Sequence, residues 1–460
     1  MTFQPGAHCE PRSIPFAEKD TYKVIPGVKW DPDSRRWYVP REIGNAFELI
    51  PREVRCASKL LPFQIPGVQR ALQDGIGYMF NYQTGLGKTY AALGVCSELG
   101  AKRILIVCPA MVKKHWAMVC EEWGWEAHVV TAGKPVRDDY GDGALIINYE
   151  LLGKTGSPTG LDVIIGDESH RIKNGGRGNL DSAPTAVRAM HLLRDTNPEA
   201  FRILLSATPI ANRPIDYHAQ LDWVWPGRFG SYWKYADYYH VIERTPIPGT
   251  DKTQIVIGDP RNVEDLRARL EWCSHTVSKN EIPGLPSWSA GLCTAWEGEL
   301  ELLTARTWIL TDTRARAEQL TEQYPRLLMF HGGATIAKRH KIIAEAKEAG
   351  RPVVSTMHAV REGIDLTHWN HVLYDQLSWT LLAIVQSMGR FHRLNSKNPV
   401  TYLFNGKDAR RARVLVGKLE QIRAVIPSTM PLEDWIREKY TNASFEQDLA
   451  TMEVDEWTEI

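Results

Sequence analysis

The sequence predicts an α/β protein with two tandem parallel-sheet lobes, a helical insertion between them and a small N-terminal module that contains a β-hairpin. Short apolar segments rich in β-branched residues alternate with helix-length segments on both sides of residues 216–290, and such alternation is typical of parallel sheets. Within 216–290 this alternation stops, and aromatic helical stretches and a Pro/Gly-rich loop at 243–260 replace it. Residues 24–40 alternate apolar and polar side chains around a Pro-containing turn at 31–34, which predicts a hairpin.

These patterns divide the chain into five regions. We expect the N-terminal module at 1–57 with residues 1–20 irregular, the first lobe at 58–215, the helical insertion at 216–290, the second lobe at 291–425, and a C-terminal helix with an acidic tail at 426–460. The predicted strands are 103–108, 144–148, 161–166 and 201–205 in the first lobe, and 307–310, 327–330, 353–354 and 371–374 in the second. Helices predicted at 408–425 and 431–440 could brace the two lobes.

Composition limits the class of protein. The 460 residues suggest about three domains. The 55 basic and 55 acidic residues give a net charge of zero, which by itself does not indicate a nucleic-acid-binding protein. No basic residue follows Lys439, however, so the acidic tail conceals a positive balance in the rest of the chain. We expect a monomer whose flexible tail could bind a protein partner.

Cysteine usage and hydropathy bear on location. The seven cysteines are odd in number and show no paired spacing, which predicts a reduced compartment and no zinc site. No apolar stretch is long enough for a signal peptide or a membrane span. We therefore expect an intracellular, cytoplasmic protein. Its compact size suggests a bacterial or viral source, and a viral protein would act in the host cytoplasm.

A glycine-rich turn at 85–89 predicts a phosphate-binding loop. Gly85 and Gly87 let the backbone curl close to phosphate oxygens, and the following helix presents unpaired N–H groups to them. Lys88 could then reach the β and γ phosphates, and the Thr89 hydroxyl could bind Mg²⁺. The strict motif has a further glycine where this chain has Tyr82. The alternative is a glycine turn followed by an ordinary surface lysine.

Two adjacent acids follow the predicted strand at 161–166. The carboxyl end of such a strand is where α/β sheets bind ligands, so Asp167 is placed to hold Mg²⁺ and Glu168 to orient and deprotonate a water molecule. The alternative is the solvated start of a loop. The upstream phosphate loop makes that alternative the weaker one, because both segments serve one reaction.

The segment 386–393 contributes positive charge. Arg390 and Arg393 are three residues apart, so both project to one side of a helix. Arginines in that position stabilise the charge that spreads over a γ-phosphate during its transfer. The alternative is a basic helix face that binds nothing in particular.

Taken with further segments, these motifs resemble those of superfamily-two helicases of the Swi/Snf-type DNA translocase branch, which implies two RecA-like lobes. The resemblance covers roughly residues 60–425 and includes segments 61–64, 105–109, 146–150, 205–212 and 355–367. It implies ATP and Mg²⁺ as cofactors, with Gln64 reading adenine and with Gly363, Asp365 and Gln386 completing the nucleotide site. It also implies that Ser206, Ala207 and Thr208 couple the lobes. The nucleic-acid contacts that it implies are Lys113, Lys114, Tyr149, Lys173, Asn174, Ser355 and Thr356.

The chain departs from this family's pattern at three places, one of which is Val360, Arg361 and Glu362 in place of a more glycine-rich stretch. Two arginines often precede a lysine in the helical region of the family, whereas here only Lys279 is kept. The last motif usually ends in Gly-Gln and here ends in Leu394 and Asn395. None of the three changes touches the predicted chemical core.

The predicted N-terminal hairpin resembles the HARP module of annealing helicases. An Ile-Pro-Gly stretch precedes a first strand with Trp30, and a second strand carries Arg36 and Trp37. Cations beside aromatic residues suit an exposed base or a DNA junction. The alternative, to which we give equal weight, is a small hairpin that only caps the first lobe.

The resemblance implies an ATP-dependent translocase on double-stranded DNA that remodels or anneals branched DNA such as replication forks. It would bind duplex or branched DNA largely independently of base sequence, because most of its contacts would be with phosphates. One alternative is a strand-separating DNA or RNA helicase. An alternative of another class is a DNA-binding scaffold with a vestigial ATPase.

Overall fold

Two parallel sheets, of seven and six strands, carry most of the described chain. This computed structural model describes residues 9–12, 29–31, 36–40, 53–74, 76–132, 141–154, 156–173, 175–210, 213–246, 253–293, 296–330, 336–360, 364–405 and 409–426. The prediction of two tandem parallel-sheet α/β lobes is confirmed. Within the described ranges, no helix is both long enough and apolar enough to cross a membrane.

The N-terminal residues form a three-stranded antiparallel sheet in the order β1-β3-β2. Its strands are β1 (Cys9–Arg12), β2 (Lys29–Asp31) and β3 (Arg36–Pro40). The predicted hairpin is β2 and β3, and Trp30 pairs in register with Trp37. The prediction that residues 1–20 are irregular was wrong for Cys9–Arg12, because β1 pairs with β3; the rest of that range lies outside the described residues. This strand contains Pro11, which an edge strand tolerates, and only its distant partner identifies it.

The first lobe begins with six parallel strands. They are β4 (Gly77–Tyr82), β5 (Arg103–Cys108), β6 (Ala127–Val129), β7 (Gly143–Asn148), β8 (Val163–Asp167) and β9 (Phe201–Leu205). The four predicted strands are confirmed to within two residues at each end. Alternate residues pack on opposite faces, since Ile104 and Ile106 belong to one buried cluster and Leu105 and Val107 to another. The helices of this lobe are Ile65–Asp74, Lys88–Leu99, Lys113–Trp123, Tyr149–Leu152 and Thr185–Thr196.

The insertion contains helices, as predicted, together with a hairpin that was not predicted. Its helices are His218–Val224, Tyr232–Tyr239 and Val263–Cys273. The segment predicted as a loop at 243–260 instead forms much of an antiparallel pair, β10 (His240–Pro246) and β11 (Thr253–Pro260). Ile242 and Ile257 are register partners that pack against the core of the first lobe. The prolines stand at the strand ends, where they do not interrupt the ladder.

The chain then returns to the first sheet before it enters the second lobe. Strand β12 (Ser274–Val277) pairs in parallel with β4 at the sheet edge. The Val277 carbonyl also accepts a 3.1 Å hydrogen bond from the Gln83 backbone N–H. This pairing places the residues after β12 beside the predicted phosphate loop.

The second lobe is a six-stranded parallel sheet in the order β13-β18-β17-β14-β16-β15. Its strands are β13 (Trp288–Cys293), β14 (Thr307–Thr311), β15 (Leu328–Phe330), β16 (Val353–Thr356), β17 (His371–Tyr374) and β18 (Val400–Asn405). Strand β13 begins at Trp288, three residues before the predicted start of this lobe. The helices are Trp296–Glu301, Arg314–Gln323, Ile336–Glu348, Met357–Val360 and Leu381–Phe391.

A C-terminal helix, Ala409–Val425, spans both lobes. Leu415 and Leu419 belong to the buried core of the second lobe, whereas Val425 and Ile426 belong to that of the first. Ile422 between them packs against both cores. The helix is thus a physical connection between the lobes. The predicted helix at 431–440 and the acidic tail lie outside the described residues.

Candidate nucleotide site

The predicted phosphate loop connects β4 to the helix that begins at Lys88. Gly85 and Gly87 have φ angles of 82° and 69°, a left-handed conformation in which a side chain would be strained. The turn therefore depends on glycine at both positions. The first N–H groups of the following helix have no partner within the helix and suit a polyphosphate.

Lys88 lies close enough to the acidic pair, Asp167 and Glu168, to interact electrostatically with both carboxylates. The Lys88 Nζ donates a 3.0 Å hydrogen bond to the Tyr82 carbonyl at the end of β4. Burial lowers the pKa of Lys88, and the Glu168 and Asp167 carboxylates oppose that effect. The ammonium group is thus held against its own loop, within range of both acids.

Asp167 is held by three hydrogen bonds at the end of β8. The Trp116 indole N–H donates to Oδ2 at 2.9 Å, and the Glu168 backbone N–H donates to Oδ1 at 2.9 Å. The Tyr149 hydroxyl donates to the Asp167 carbonyl at 2.8 Å. Burial, followed by the neighbouring Glu168 carboxylate, raises the pKa of Asp167 to about 6. Its position is therefore fixed from several sides.

Glu168 has a left-handed backbone, with φ at 54°. Its Oε2 atom is buried and accepts no hydrogen bond from the described residues, and His170 Nδ1 lies 3.4 Å away. Burial alone would raise the pKa of Glu168, but His170, Lys88 and Arg390 outweigh it and lower the pKa to about 2. An ionised carboxylate oxygen with no hydrogen bond suits a water molecule or a metal-bound ligand.

Gln64, predicted to read adenine, is buried beside the phosphate loop. Its Nε2 donates to the carbonyls of Gly87 at 3.0 Å and Leu86 at 3.2 Å. Its Oε1 accepts from the Leu61 backbone N–H at 2.9 Å. The side chain therefore supports the shape of the loop, and reading a base remains a prediction.

The helix Leu381–Phe391, called the motif helix here, brings Arg390 to the site. Arg390 is close enough to affect the pKa of both Lys88 and Glu168. Arg393, two residues beyond the helix end, donates to the carbonyls of Gly389 at 3.1 Å and Ile364 at 2.6 Å. Arg390 thus reaches the predicted reaction centre, while Arg393 also holds the local backbone of its own lobe.

The two lobes touch at the phosphate loop, at a boundary called the seam here. A Cβ atom added at Gly389 would lie 1.6 Å from Thr84 Oγ1, and one added at Gly85 would lie 2.9 Å from Arg393 Cγ. Real Cβ atoms do not approach so closely, so this contact between the lobes requires glycine at both positions. Sequence reasoning had found a role for Gly85 but not for Gly389.

The other residues predicted for the nucleotide site flank this seam. Asp365 accepts from the Thr367 backbone N–H at 3.0 Å and from Asn395 Nδ2 at 2.9 Å. Asn395, where the family usually has glutamine, thus connects the last two motifs. Gln386 is buried in the motif helix, and Thr89 is half-buried in the first turn after the loop. Gly363 lies outside the described residues.

The predicted coupling residues are buried behind the acidic pair. The Ser206 hydroxyl accepts from the Thr208 backbone N–H at 3.0 Å, and Ala207 is 1% exposed. Gln220, which sequence reasoning missed, connects this segment to the acidic motif. Its Nε2 donates to the Pro209 carbonyl at 2.6 Å, and its Oε1 accepts from the Ser169 hydroxyl at 2.6 Å. No local sequence signal identifies Gln220, because the fold creates both contacts.

Several residues predicted to contact nucleic acid are engaged inside the protein. Tyr149 is 2% exposed and supports Asp167, as described above. Ser355 is buried and accepts from the Trp308 indole N–H at 2.8 Å. The Lys113 ammonium donates to the Val130 carbonyl at 2.8 Å and to Asn148 at 3.0 Å. In this conformation, each of these three side chains is already hydrogen-bonded to other groups of the protein.

The other residues predicted to contact nucleic acid differ in their exposure to solvent. Lys114 is exposed, whereas Lys173 and Thr356 are half-buried. Asn174 lies outside the described residues. Trp30, Arg36 and Trp37 are placed on the strands of the N-terminal sheet, where Arg36 pairs in register with Asp31.

A second basic segment lies across the seam from Lys114. The helix Ile336–Glu348 carries exposed Lys338 and Lys341. On the same helix, Arg339 contacts the Met111 sulfur at 3.7 Å. Met111 lies two residues before Lys113 in the first lobe, so basic segments of both lobes adjoin.

Two family models match the chain, one on each lobe. The model described as the helicase conserved C-terminal domain matches residues 298–395. The model described as the type III restriction enzyme, res subunit, matches residues 57–211. The matched residues include the phosphate loop and acidic pair in the first lobe, and the motif helix in the second.

Similar proteins include DNA annealing helicases and Swi/Snf-related proteins. The DNA annealing helicase and endonuclease ZRANB3 of Homo sapiens is 23% identical over 85% of this chain and 42% of its own length. Its counterpart from Mus musculus is 30% identical over 42% of this chain and 18% of its own length. The SWI/SNF-related matrix-associated actin-dependent regulator of chromatin subfamily A-like protein 1 of Xenopus tropicalis is 28% identical over 47% of this chain and 22% of its own length. The chain spans less than half the length of these relatives.

Two solved structures are similar at low identity. The Sulfolobus solfataricus SWI2/SNF2 ATPase core in complex with dsDNA matches 83% of this chain and 99% of its own, with a TM-score of 0.41 and 17% identity. S. cerevisiae Dbp5 bound to RNA and ADP BeF3 matches 85% of this chain and 98% of its own, with a TM-score of 0.48 and 14% identity.

Proposed function

We propose that the chain is an ATP-dependent translocase on double-stranded DNA that remodels or anneals branched DNA such as replication forks. The family models that match its two lobes and its similarity to an annealing helicase support an ATP-hydrolysing superfamily-two helicase of the Swi/Snf type. The observation that carries the proposal is the convergence of Lys88, Asp167 and Glu168 with Arg390 across the seam. Such a site can act only while the two lobes are together.

The residues present fit a magnesium nucleotide. Mg²⁺ prefers oxygen ligands and binds through one or two carboxylates together with phosphates, and the Asp167 carboxylate and the Thr89 hydroxyl offer such oxygens. When bound, Mg²⁺ would neutralise charge on the β and γ phosphates. Lys88 and the N–H groups of the loop would hold those phosphates, and Arg390 and Arg393 would approach them from the second lobe.

Glu168 is the proposed general base. Its buried Oε2 makes no hydrogen bond to the described residues, so it is available to orient a water molecule against the terminal phosphate. His170, Lys88 and Arg390 lower the pKa of Glu168 and keep its carboxylate ionised at neutral pH, so it can accept a hydrogen bond from that water molecule. Asp167, held by Trp116 and by the Glu168 backbone N–H, would keep its position throughout the cycle.

The proposal of duplex DNA as the track rests on the relatives and on the basic segments of both lobes. The relatives are named as annealing helicases and Swi/Snf-related regulators. The basic segments around Lys114 and Lys338 adjoin across the seam, so a phosphate backbone lying there would contact both lobes. Opening and closing of the seam with each ATP would then move the lobes along that backbone. The N-terminal sheet is the proposed element that recognises branched DNA.

ATP turnover with different nucleic acids tests this proposal. Hydrolysis would be measured alone and with single-stranded DNA, blunt duplex, forked DNA and structured RNA. The proposal expects the strongest stimulation by duplex or forked DNA, and its near-complete loss in Lys88→Ala with DNA binding retained. Strongest stimulation by single strands or RNA would favour a strand-separating helicase. Absence of turnover with every substrate would favour a scaffold.

A further inference from the structure

Lys279 is fixed beside the phosphate loop by its own backbone. It follows β12 and begins the short 3-10 helix Lys279–Glu281, which a reciprocal capping interaction between Ser278 and Glu281 stabilises. The Lys279 backbone N–H donates a 2.9 Å hydrogen bond to the side-chain oxygen of Gln83, immediately before the loop. The position of Lys279 relative to the loop is therefore well determined by the first lobe.

The side chain of Lys279 reaches across the seam. It is 8% exposed, and its ammonium group donates a hydrogen bond to the carbonyl of His392 in the second lobe. His392 is itself held by a 2.7 Å contact between its Nε2 and the Pro286 carbonyl. Lys279 thus contacts the chain between Arg390 and Arg393, the two arginines predicted to meet a terminal phosphate.

The charge around Lys279 is unbalanced. No carboxylate in the described ranges lies within ion-pair distance of its ammonium group, whereas Arg393, Lys88 and Arg390 all act on it electrostatically. Burial and these three cations lower the pKa of Lys279 to about 7. Buried charges are normally paired. Glu168 and Asp167 act on Lys88, whereas only cations act on Lys279, so an anion bound beside Lys279 would supply the partner that its ammonium group lacks.

We propose that Lys279 is a further phosphate-binding residue of the nucleotide site, which recognises the terminal phosphate of a nucleoside triphosphate where the two lobes meet. This inference rests on the proposed function and adds a residue to its site. The Lys88 ammonium extends from the loop, while Lys279 extends from the sheet edge toward the motif helix. The two lysines would therefore hold the phosphate chain from different sides, and Lys279 would detect the end that distinguishes ATP from ADP.

Binding of ADP and of a non-hydrolysable ATP analogue tests this role, with dissociation constants measured for wild type, Lys279→Met and Lys279→Arg. Loss of a hydrogen bond to a charged group corresponds to about 10- to 100-fold in affinity, and we expect that loss for the ATP analogue in Lys279→Met. Affinity for ADP should change little. Lys279→Arg should keep most of the preference for the triphosphate, since it keeps the charge.

The controls separate this inference from the proposed function. Lys102→Met removes an exposed charge elsewhere on the first lobe and should bind both nucleotides like wild type. Circular dichroism would verify that each variant is folded. If Lys279→Met binds the ATP analogue as wild type does, or loses both nucleotides equally, the role of Lys279 is refuted while the proposed function stands. If wild type binds neither nucleotide, both proposals fail.

Discussion

The Ser169 hydroxyl donates a 2.6 Å hydrogen bond to the side-chain oxygen of Gln220, and both side chains are completely buried. The amide nitrogen of the same glutamine donates to the Pro209 carbonyl at 2.6 Å. One side chain therefore connects the acidic motif, through Ser169, to the predicted coupling motif at 205–212. A displacement of the acidic pair on hydrolysis would be transmitted through this buried amide.

Gln220→Leu should weaken this connection. The change leaves the Ser169 hydroxyl and the Pro209 carbonyl buried without their partner, which costs about 1–3 kcal/mol of the free energy of unfolding for each group. We expect less stable protein in urea denaturation and a lower ratio of DNA movement to ATP hydrolysed. Gln254→Leu, at an exposed position of the hairpin, is the control. Unchanged stability and coupling in Gln220→Leu would show that the amide has no such role.

Gly389→Ala should prevent closure of the seam. The added Cβ would meet Thr84 Oγ1 at 1.6 Å, so the motif helix must move away from the phosphate loop. A misplacement of about 1 Å at a reaction centre can cost about 100-fold in rate, and we expect a loss of that order in DNA-stimulated ATP turnover.

The matched control for this change lies in the C-terminal helix. A Cβ at Gly417 would meet no atom within 4 Å, and alanine favours helix over glycine by about 1 kcal/mol. Gly417→Ala should therefore leave turnover unchanged and slightly raise the melting temperature. Equal turnover in the two variants would contradict the contact at the seam.

Tyr149→Phe tests whether Tyr149 contacts DNA or supports the acidic pair. The change removes the hydroxyl that donates to the Asp167 carbonyl at 2.8 Å, and loss of such a supporting group typically costs about tenfold in activity. We expect slower ATP turnover at saturating DNA with an unaltered dissociation constant for DNA. Weaker DNA binding with full turnover at saturation would restore the sequence-based prediction of a DNA contact.

The stability of the protein without nucleotide should depend on pH through Lys279. Its pKa in the folded protein, about 7, lies below the ordinary value of 10.5, so between these values the unfolded chain binds more protons than the folded one. Stability from this group therefore rises with pH across that window, by at most about 1.4 kcal/mol per pH unit. Urea denaturation at pH 7, 8 and 9 should give a steeper rise for wild type than for Lys279→Met. Parallel curves would mean that Lys279 is not destabilised in the fold.

The sequence predicted the features that are encoded locally. Apolar runs located β5, β7, β8 and β9, and the motifs located Lys88, the acidic pair and Arg390 on the elements where they lie. It failed where structure depends on distant partners. Strand β1 is recognisable only by its pairing with β3, and the hairpin β10–β11 depends on packing of Ile242 and Ile257 against another element.

The same distinction applies to individual site residues. Tyr149 and Ser355 belong to motif segments, but only the fold shows that their hydroxyls are used inside the protein. The contacts of Gln220 with Ser169, of Gly389 with Thr84 and of Lys279 with His392 each join residues more than 50 positions apart in the chain. Patterns of residue type can therefore name a reaction, whereas the contacts that position its groups require the folded chain.

The most direct test of the account is whether ATP drives movement along duplex DNA without separating its strands. A labelled third strand would be bound to a blunt duplex, and its displacement would be followed with ATP for wild type and Glu168→Gln. We predict ATP-dependent displacement of the third strand by wild type, an intact duplex, and no displacement by Glu168→Gln. Separation of the duplex strands, or ATP hydrolysis that leaves the third strand in place, would contradict the proposal of a double-stranded-DNA translocase.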